Sequence, residues 1–511
     1  MEKPSAQTIP ELTRMREGPF PFVGREPELR LIERILEPGR QGYPMDNSII
    51  SFVGPYGIGK TALLGEIAAR HRKEPGSAST ETHPSITAYV DLGQLITEGN
   101  FNRRRLVQEI WQQLGEQMEE TVLDLGGVSD DELVKAMVDK VVEWGNKATP
   151  VILLDTFDRL TKEDERSFWW IEKEIMEPLV RSGRTLFVLA GRKELRRLRQ
   201  FETRRRLTTH FLNSFDEETT ALQTAGSPAV NAAIYAHTFG HPEAVHYLAK
   251  VLRAQGLNLA TASEEEVVRV LKEILPTVLD NLTTEILRDV PEELKEIARQ
   301  ASVLRWINYE PLSFLAKYLN LEDEEAIETG IASDLYSTEE GYYLDIIGQL
   351  QEATVLDWNV AEADFRIPLP LRQLLDHALE LRNPNAYGLA HQAALIFHLD
   401  HLERYPNYLA RYVPQAFYHN LRLNELESKL VGSDSYDVFF RNITMAGPID
   451  NWWPFHFDQQ WAKHDQAPPS QVVWQELAEA LEKDEELKAL MHPLTYKSFL
   501  KEAKQRAELK S

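Results

Sequence analysis

The feature that most constrains this chain is a glycine-rich stretch at residues 54–61 with the sequence GPYGIGKT. It follows the apolar, β-favouring run at residues 49–53 and precedes a stretch with helical periodicity. Glycines let a backbone curl so that successive N–H groups point at phosphate oxygens, and a helix N-terminus adds positive potential there. A strand, such a loop and a helix in this order predict a P-loop, the name used below for residues 54–61.

Two side chains of the P-loop have defined chemistry with nucleotides. Lys60 is expected to reach the β- and γ-phosphates as a mobile point charge, and the Thr61 hydroxyl is expected to ligate Mg²⁺. We therefore predict that ATP or ADP binds here with Mg²⁺. The nucleotide-binding residues predicted from the motif are Gly54, Pro55, Tyr56, Gly57, Ile58, Gly59, Lys60, Thr61 and Ala62.

A second Mg²⁺ ligand is predicted at the end of a neighbouring strand. Residues 151–155, VILLD, combine four apolar β-favouring residues with a final aspartate. Such a run delivers Asp155 to the carboxyl edge of a parallel sheet, where ligands bind in open α/β folds. Asp158 is the nearest further carboxylate that could orient an attacking water, and a helix N-cap or turn residue is its alternative role.

Length and strand pattern predict several domains, the first of them α/β. The chain has 511 residues, whereas single hydrophobic cores stop growing at about 250–300. Residues 1–20 are interpreted as a polar lead-in, and residues 21–213 as a P-loop domain with a parallel sheet covered on both faces. The five predicted strands are residues 49–53, 86–91, 151–155, 186–190 and 209–212.

Helical periodicity dominates after residue 213. Ser214 and Glu217 fit a capping box, and a helical lid is predicted at residues 214–262. A winged-helix domain is predicted at 263–380, with residues 310–320 as its third helix and the extended pieces at 341–348, 354–360 and 365–372 as its β-wing. Residues 381–511 are predicted to be a C-terminal helical region that binds a protein partner or a ligand.

Charge and composition restrict the partners. Asp and Glu number 80 against 56 Lys and Arg, a formal net charge of −24, so the overall field repels a phosphate backbone and disfavours nucleic acid. There is no cysteine, which excludes disulfides and thiolate metal sites and fits a cytoplasmic location. No run of 18 apolar residues occurs, so no membrane span is predicted.

The sequence resembles the STAND class of signal-transduction ATPases, which includes NACHT and NB-ARC proteins. Residues 22–29, FVGREPEL, are similar to the segment with which such modules begin; the resemblance implies that Val23 lies against the adenine and Arg25 near the nucleotide. Residues 151–159 resemble the NACHT Walker B segment, in which Asp158 matches the first acid of a second acidic pair. Arg159 stands where that pair has its second acid, which implies slow hydrolysis.

Three further segments carry the same resemblance, which covers about residues 21–375. Residues 186–192, LFVLAGR, are similar to the strand whose last side chain faces the γ-phosphate, a role that would fall to Arg192 unless it is only a surface arginine. Residues 212–222 resemble the start of the family's helical lid. Pro242, in the triplet GHP, resembles the proline that packs against bound nucleotide, although such a triplet also starts ordinary helices.

The resemblance implies a slow ATPase that acts as a nucleotide-gated conformational or oligomerisation switch. Two alternatives remain: an ATP-binding transcription regulator that uses its winged helix, and a scaffold that keeps nucleotide without hydrolysing it. The basic segment at residues 192–206 fits a solvated helix face, an arginine finger between protomers or a contact for an acidic partner. His391, His398 and His401 are interpreted as partly buried helix residues.

Overall fold

The computed structural model describes residues 22–73, 83–97, 100–120, 127–195, 198–319, 340–360, 362–430 and 469–508. The predicted lead-in at residues 1–20 lies outside these ranges. The chain divides into two compact units, Met1–Val278 and Leu279–Ser511. None of the described helices is long and apolar enough to span a membrane.

A five-stranded parallel sheet forms the centre of the first unit. Its strands are β1 Ile49–Val53, β2 Ser85–Asp91, β5 Thr149–Asp155, β6 Leu186–Gly191 and β7 Leu207–Phe211, in the order β2-β5-β6-β1-β7. Two short strands, β3 Ile96–Thr97 and β4 Asn100–Phe101, form a separate antiparallel pair. The five predicted strands are confirmed with small shifts of their ends; β5, predicted at 151–155, and β7, predicted at 209–212, each begin two residues earlier than predicted.

The sheet is buried on both faces, because alternate residues of its strands enter two different cores. Ile49, Ile152 and Phe187 belong to one apolar cluster, whereas Phe52 and Leu153 belong to the other. The helices around the sheet are α1 Glu26–Arg40, α2 Lys60–His71, α3 Arg103–Gln117, α4 Asp130–Trp144, α5 Phe157–Glu163, α6 Glu165–Trp170, α7 Glu177–Arg181 and α8 Phe201–Arg206, with a π-helical turn at Ile171–Met176. Because all five strands are parallel, their carboxyl ends lie at one edge of the sheet.

Helices α9 Glu217–Thr224, α10 Pro228–Thr238, α11 Pro242–Ala254 and α12 Glu264–Ile286 follow the sheet. The predicted Ser214 cap is wrong: Asp216 is the N-cap of α9, and its side chain accepts a hydrogen bond from the Thr219 N–H. An aspartate directly before the first helical residue caps as well as serine does, so the helix begins two residues later than the predicted cap implied.

The second unit begins with three helices and a β-hairpin. Its first elements are α13 Glu292–Gln300, α14 Tyr309–Leu319, α15 Glu340–Glu352, β8 Asp357–Asn359 and β9 Asp364–Arg366. The two strands pair antiparallel, and Phe365 also forms a bridge with Ile307. The hairpin agrees with part of the predicted β-wing.

Residues 341–348, predicted as extended, lie instead within α15, and this prediction is wrong. The buried residues of α15 are Tyr343, Ile346, Ile347 and Leu350, a spacing of three and four that buries one face of a helix. The helix directly before the hairpin is thus α15, not residues 310–320 as predicted; most of that segment forms α14.

The described remainder of the second unit is mainly helical. Its helices are α16 Leu369–Arg382, α17 Pro384–Arg404, α18 Leu409–Leu430, α19 Gln471–Lys483, α20 Glu485–Leu490 and α21 Pro493–Glu508. Residues 369–372, predicted as extended, lie instead at the start of α16, and this part of the prediction is wrong; the helices after residue 383 agree with the predicted C-terminal helical region. His391, His398, His401 and His419 are buried where α17 packs on α18. The first three were predicted to be partly buried and are more completely buried than that. The buried histidines form ring contacts with one another and with Trp306.

Candidate nucleotide-binding site

The P-loop connects β1 to α2 at the carboxyl edge of the sheet. Gly59 has φ 93° and is the residue before the first turn of α2, which starts at Lys60. Gly57 has φ 72°. These left-handed conformations are open to glycine at little cost, so the two glycines of the motif are what lets the loop curl into the start of the helix.

Lys60 is buried within the loop that it ends. Its ammonium donates hydrogen bonds to the carbonyl oxygens of Gly54 at 2.7 Å and Pro55 at 2.8 Å. Burial lowers the pKa of Lys60 to about 8; the carboxylates of Asp158 and Asp155 oppose that shift, and Arg192 adds to it. The other three predicted catalytic side chains therefore all act electrostatically on Lys60.

Asp155 ends β5 and is only 4% exposed. It accepts hydrogen bonds from the Tyr89 hydroxyl at 3.1 Å, from the Thr156 N–H at 2.8 Å and from the Thr61 hydroxyl. Burial raises the pKa of Asp155, and nearby Asp91 adds to the rise. The contact between the two predicted Mg²⁺ ligands, Thr61 and Asp155, fits a single ion that both oxygens can reach, and hydroxyl and carboxylate oxygens are the donors that Mg²⁺ takes.

Asp158 and Arg192 meet beside the P-loop. Asp158 lies in the first turn of α5, and its Oδ1 accepts the Arg192 N–H at 3.0 Å. The Arg192 guanidinium lies 5.6 Å from the centre of the Tyr56 ring. The carboxylate thus ties the end of β6 to α5. This role differs from the helix N-cap offered as the structural alternative, because the N-cap of α5 is Thr156.

Arg25 joins the P-loop to the segment that leads out of the sheet. Its guanidinium is buried and donates to the carbonyl oxygens of Ile58 at 2.7 Å and Asn213 at 3.0 Å, and it lies over the Phe215 ring at 4.8 Å. Burial lowers the pKa of Arg25. Val23, two residues earlier, is half-buried. The Arg25 side chain therefore binds the P-loop through a backbone carbonyl group of the loop.

Pro242 is buried at the start of α11. The preceding residue, His241, caps this helix: its Nδ1 accepts the Ala244 N–H at 3.3 Å. Its Nε2 lies 2.8 Å from the Tyr56 carbonyl oxygen, and the Glu243 N–H donates to the Gly57 carbonyl at 3.2 Å. The first turn of α11 thus binds the P-loop directly.

Sequence reasoning missed His241, Asp91 and Thr156. Asp91 pairs in register with Asp155 across β2 and β5, and its position at the end of a predicted strand was a usable signal. Thr156 has φ 56°, an uncommon conformation for a branched residue, and its hydroxyl donates to Asp91. The signal for His241 was its place between a glycine and a helix-starting proline.

Comparisons with known proteins agree with this geometry. Residues 21–168 match the protein family described as AAA ATPase domain, a range that includes the P-loop, Asp155 and Asp158. The first unit is thus similar to AAA-type P-loop ATPases. No curated protein matches the chain.

Several solved structures are similar to this chain over part of its length. A Walker-type ATPase of Pyrococcus abyssi is 14% identical with a TM-score of 0.44, over 69% of this chain and 95% of that one. The ORC2 protein of Aeropyrum pernix in its ADP form is 15% identical with a TM-score of 0.42, over 72% and 96%. The ORC1 protein of the same organism in complex with DNA is 16% identical with a TM-score of 0.37, over 71% and 93%. These identities are too low to transfer function.

Proposed function

We propose that this chain is a STAND-type signalling ATPase, a switch whose conformation depends on whether ATP or ADP is bound with Mg²⁺. The observation that carries the proposal is the meeting of Lys60, Thr61 and Asp155 at the carboxyl edge of the sheet, with the first turn of α11 bonded to the same loop. A loop that binds phosphate and also contacts the lid can link nucleotide state to lid position.

The site residues have different roles in the proposed binding of nucleotide. Lys60 supplies the positive charge for the β- and γ-phosphates, while Val23 is assigned to the adenine. Arg25 is assigned to a position near the nucleotide, and Pro242 to packing against it. Mg²⁺, held by Thr61 and Asp155, would neutralise charge on the phosphates. Arg192 is assigned to the γ-phosphate.

Hydrolysis is proposed to be slow. Asp158, assigned to orient the attacking water, already accepts the Arg192 N–H, and the neighbouring position holds Arg159 rather than an acid. Asp155 is followed by Thr156, whose hydroxyl is bonded to Asp91. The Arg192 N–H holds the Asp158 carboxylate against the end of β6, and no second acid stands beside it to orient the water, so this arrangement supports a long-lived bound nucleotide.

The switch itself requires unequal binding to two states. In the proposed cycle ADP favours the closed lid, and a partner or ligand at the C-terminal helical region releases it, after which ATP favours an open form that associates with further copies. ATP must bind the open form more tightly for this to work. A cytoplasmic location stays a prediction from the cysteine-free composition.

The second unit supports a winged-helix domain that contacts protein rather than DNA. Helices α13, α14 and α15 precede the hairpin, and Ile307 adds a third extended segment to it. Helix α15 carries Glu340, Asp345 and Glu352 but no lysine or arginine, whereas a helix that enters a DNA groove needs cations for the phosphates. A salt-sensitive gel shift with duplex DNA would favour the transcription-regulator alternative instead.

Replacement of the P-loop lysine tests the proposal. We expect Lys60→Ala to lower the affinity for Mg-ADP and Mg-ATP by at least about tenfold, since it removes the charge that meets the phosphates. Lys140→Ala, at a lysine that pairs with Glu143 on α4, is the matched control. Full affinity in the Lys60 variant would refute nucleotide binding at this loop.

The nucleotide that copurifies separates the remaining alternatives. Denaturation followed by chromatography should release ADP if the purified protein is the closed switch. ATP that stays intact through a long incubation would support the non-hydrolysing scaffold.

A further inference from the structure

The first turn of α11 makes two hydrogen bonds to consecutive carbonyl groups of the P-loop. His241 Nε2 bonds the Tyr56 oxygen at 2.8 Å, and the Glu243 N–H bonds the Gly57 oxygen at 3.2 Å. The approach is close: a Cβ on Gly57 would lie 2.6 Å from His241 Cε1 and 2.7 Å from Glu243 Cβ. Helix α11, called the lid helix below, therefore contacts the bend of the P-loop through the backbone carbonyl groups of the loop.

The bonds of His241 fix where its proton lies. Because Nδ1 accepts the Ala244 N–H, a neutral ring must carry its proton on Nε2, which then donates to the Tyr56 carbonyl. The ring is neutral because the pKa of His241 is lowered to about 4, chiefly by burial and in smaller part by Lys60, although the hydrogen bond to Tyr56 opposes the shift. One imidazole thus caps a helix with one nitrogen and holds the P-loop with the other.

The Tyr56 carbonyl belongs to the same peptide unit as the Gly57 N–H. In a planar trans peptide these two groups point in opposite directions. A hydrogen bond that fixes the carbonyl toward the lid therefore fixes the N–H toward the other side of the loop. In a P-loop, backbone N–H groups are what cradle the phosphates.

We propose that His241 is a positioning residue whose Nε2–H orients the Tyr56–Gly57 peptide for phosphate binding and so couples the position of the lid helix to nucleotide affinity. This inference rests on the proposed nucleotide binding at the P-loop. It assigns to His241 a function that a helix cap alone would not have.

Two amide substitutions separate the two roles of the ring. An asparagine side chain reaches the position of Nδ1, so His241→Asn keeps the helix cap and loses the donor to Tyr56. A glutamine side chain reaches the position of Nε2, so His241→Gln keeps the donor and loses the cap. The cap contributes to stability, whereas the donor is proposed to contribute to nucleotide affinity.

The experiment measures Mg-ADP affinity by titration calorimetry and thermal stability for the full chain. We expect His241→Asn to bind about tenfold more weakly with nearly unchanged stability, as for one lost buried hydrogen bond. We expect His241→Gln to bind within about twofold of the parent while melting at a lower temperature. Equal affinity for parent and Asn variant, or an equal loss in both variants, would overturn the inference.

Two controls keep the outcomes distinct. His71 is also buried and neutral, its pKa lowered to about 4 by burial, but it bonds Arg40 and Glu33, so His71→Gln should leave affinity unchanged. Lys60→Ala reports on the P-loop itself. If that variant loses affinity and His241→Asn does not, only the role of His241 fails; if Lys60→Ala keeps affinity, nucleotide binding at the P-loop fails.

Discussion

Asp91 and Asp155 are register partners at the ends of adjacent parallel strands. They have different roles: Asp155 contacts Thr61 of the P-loop, whereas Asp91 holds the Thr156 hydroxyl and the Gly93 N–H. Two carboxylates at one sheet edge resemble a metal site with two ligands, but only Asp155 contacts the P-loop hydroxyl. Substitution of each aspartate in turn therefore tests which carboxylate binds the proposed Mg²⁺.

We expect Asp155→Asn to remove most of the gain in nucleotide affinity that Mg²⁺ provides, about tenfold or more, because a neutral amide is a poor Mg²⁺ ligand. Asp91→Asn should change that gain by less than about threefold. Nucleotide titrations with Mg²⁺ and with a chelator measure the difference. A larger loss from Asp91→Asn would reverse the assignment of the metal ligand.

The pKa of Lys60, lowered to about 8 by burial, predicts a pH dependence of nucleotide binding. Below that pH the free protein carries the protonated ammonium that phosphates require, so affinity should be constant; above it affinity should fall by up to about tenfold per pH unit. Titrations between pH 6.5 and 9.5 test this expectation. Lys60→Arg, whose guanidinium keeps its charge, should show no such fall, whatever its absolute affinity.

Removal of the Arg25 guanidinium should destabilise the first unit. Arg25→Met leaves the Ile58 and Asn213 carbonyls without their charged donor, a loss of about 2–4 kcal/mol in the free energy of unfolding. Urea unfolding measures the change. Arg30→Met, at an exposed arginine in the same helix, should cost less than about 0.5 kcal/mol. Equal costs at the two positions would contradict the role given to Arg25.

The second unit should lose stability in mild acid because its buried histidines must stay neutral. Burial lowers the pKa of His398 and of His419 well below the ordinary value of 6.5, so the unfolded chain binds more protons than the folded one below that pH. Stability is thus highest above about pH 6.5 and falls as pH is lowered.

His398→Phe tests that relationship, since His398 Nδ1 has no hydrogen-bond partner among the described residues and a phenyl ring replaces the stacked imidazole. The variant should show a smaller drop in melting temperature between pH 7.5 and pH 5.5 than the parent. His492→Gln, at an exposed histidine, should match the parent. If the melting temperature of His398→Phe falls as much as that of the parent, His398 does not contribute to the pH dependence.

The parts of the fold that could be predicted from sequence are those with a local cause. Strands β1, β2, β5 and β6 are mostly apolar and buried because both faces of the sheet are covered, and the P-loop and Asp155 follow from the strands that precede them. Helix α15 was missed because its sequence is rich in β-favouring residues, although Tyr343, Ile346, Ile347 and Leu350 have helical spacing.

The contacts of the site that could not be predicted join residues far apart in the chain. His241 bonds Tyr56 across 185 positions, and Arg25 bonds Asn213 across 188. No local pattern encodes such pairs. The Asp158–Arg192 contact joins two predicted residues, but the hydrogen bond from the Arg192 backbone N–H depends on how β6 ends beside α5.

The contact between Gly57 and the start of α11 leaves no space for a single added methyl group. With φ at 72° and two lid atoms within 2.7 Å of any Cβ, an alanine there would act as a wedge between the loop and α11. Lys60, Thr61 and Asp155 would all remain in place. Gly57→Ala should therefore separate α11 from the P-loop by steric clash. The variant would adopt the open form of the proposed switch without a partner or ligand.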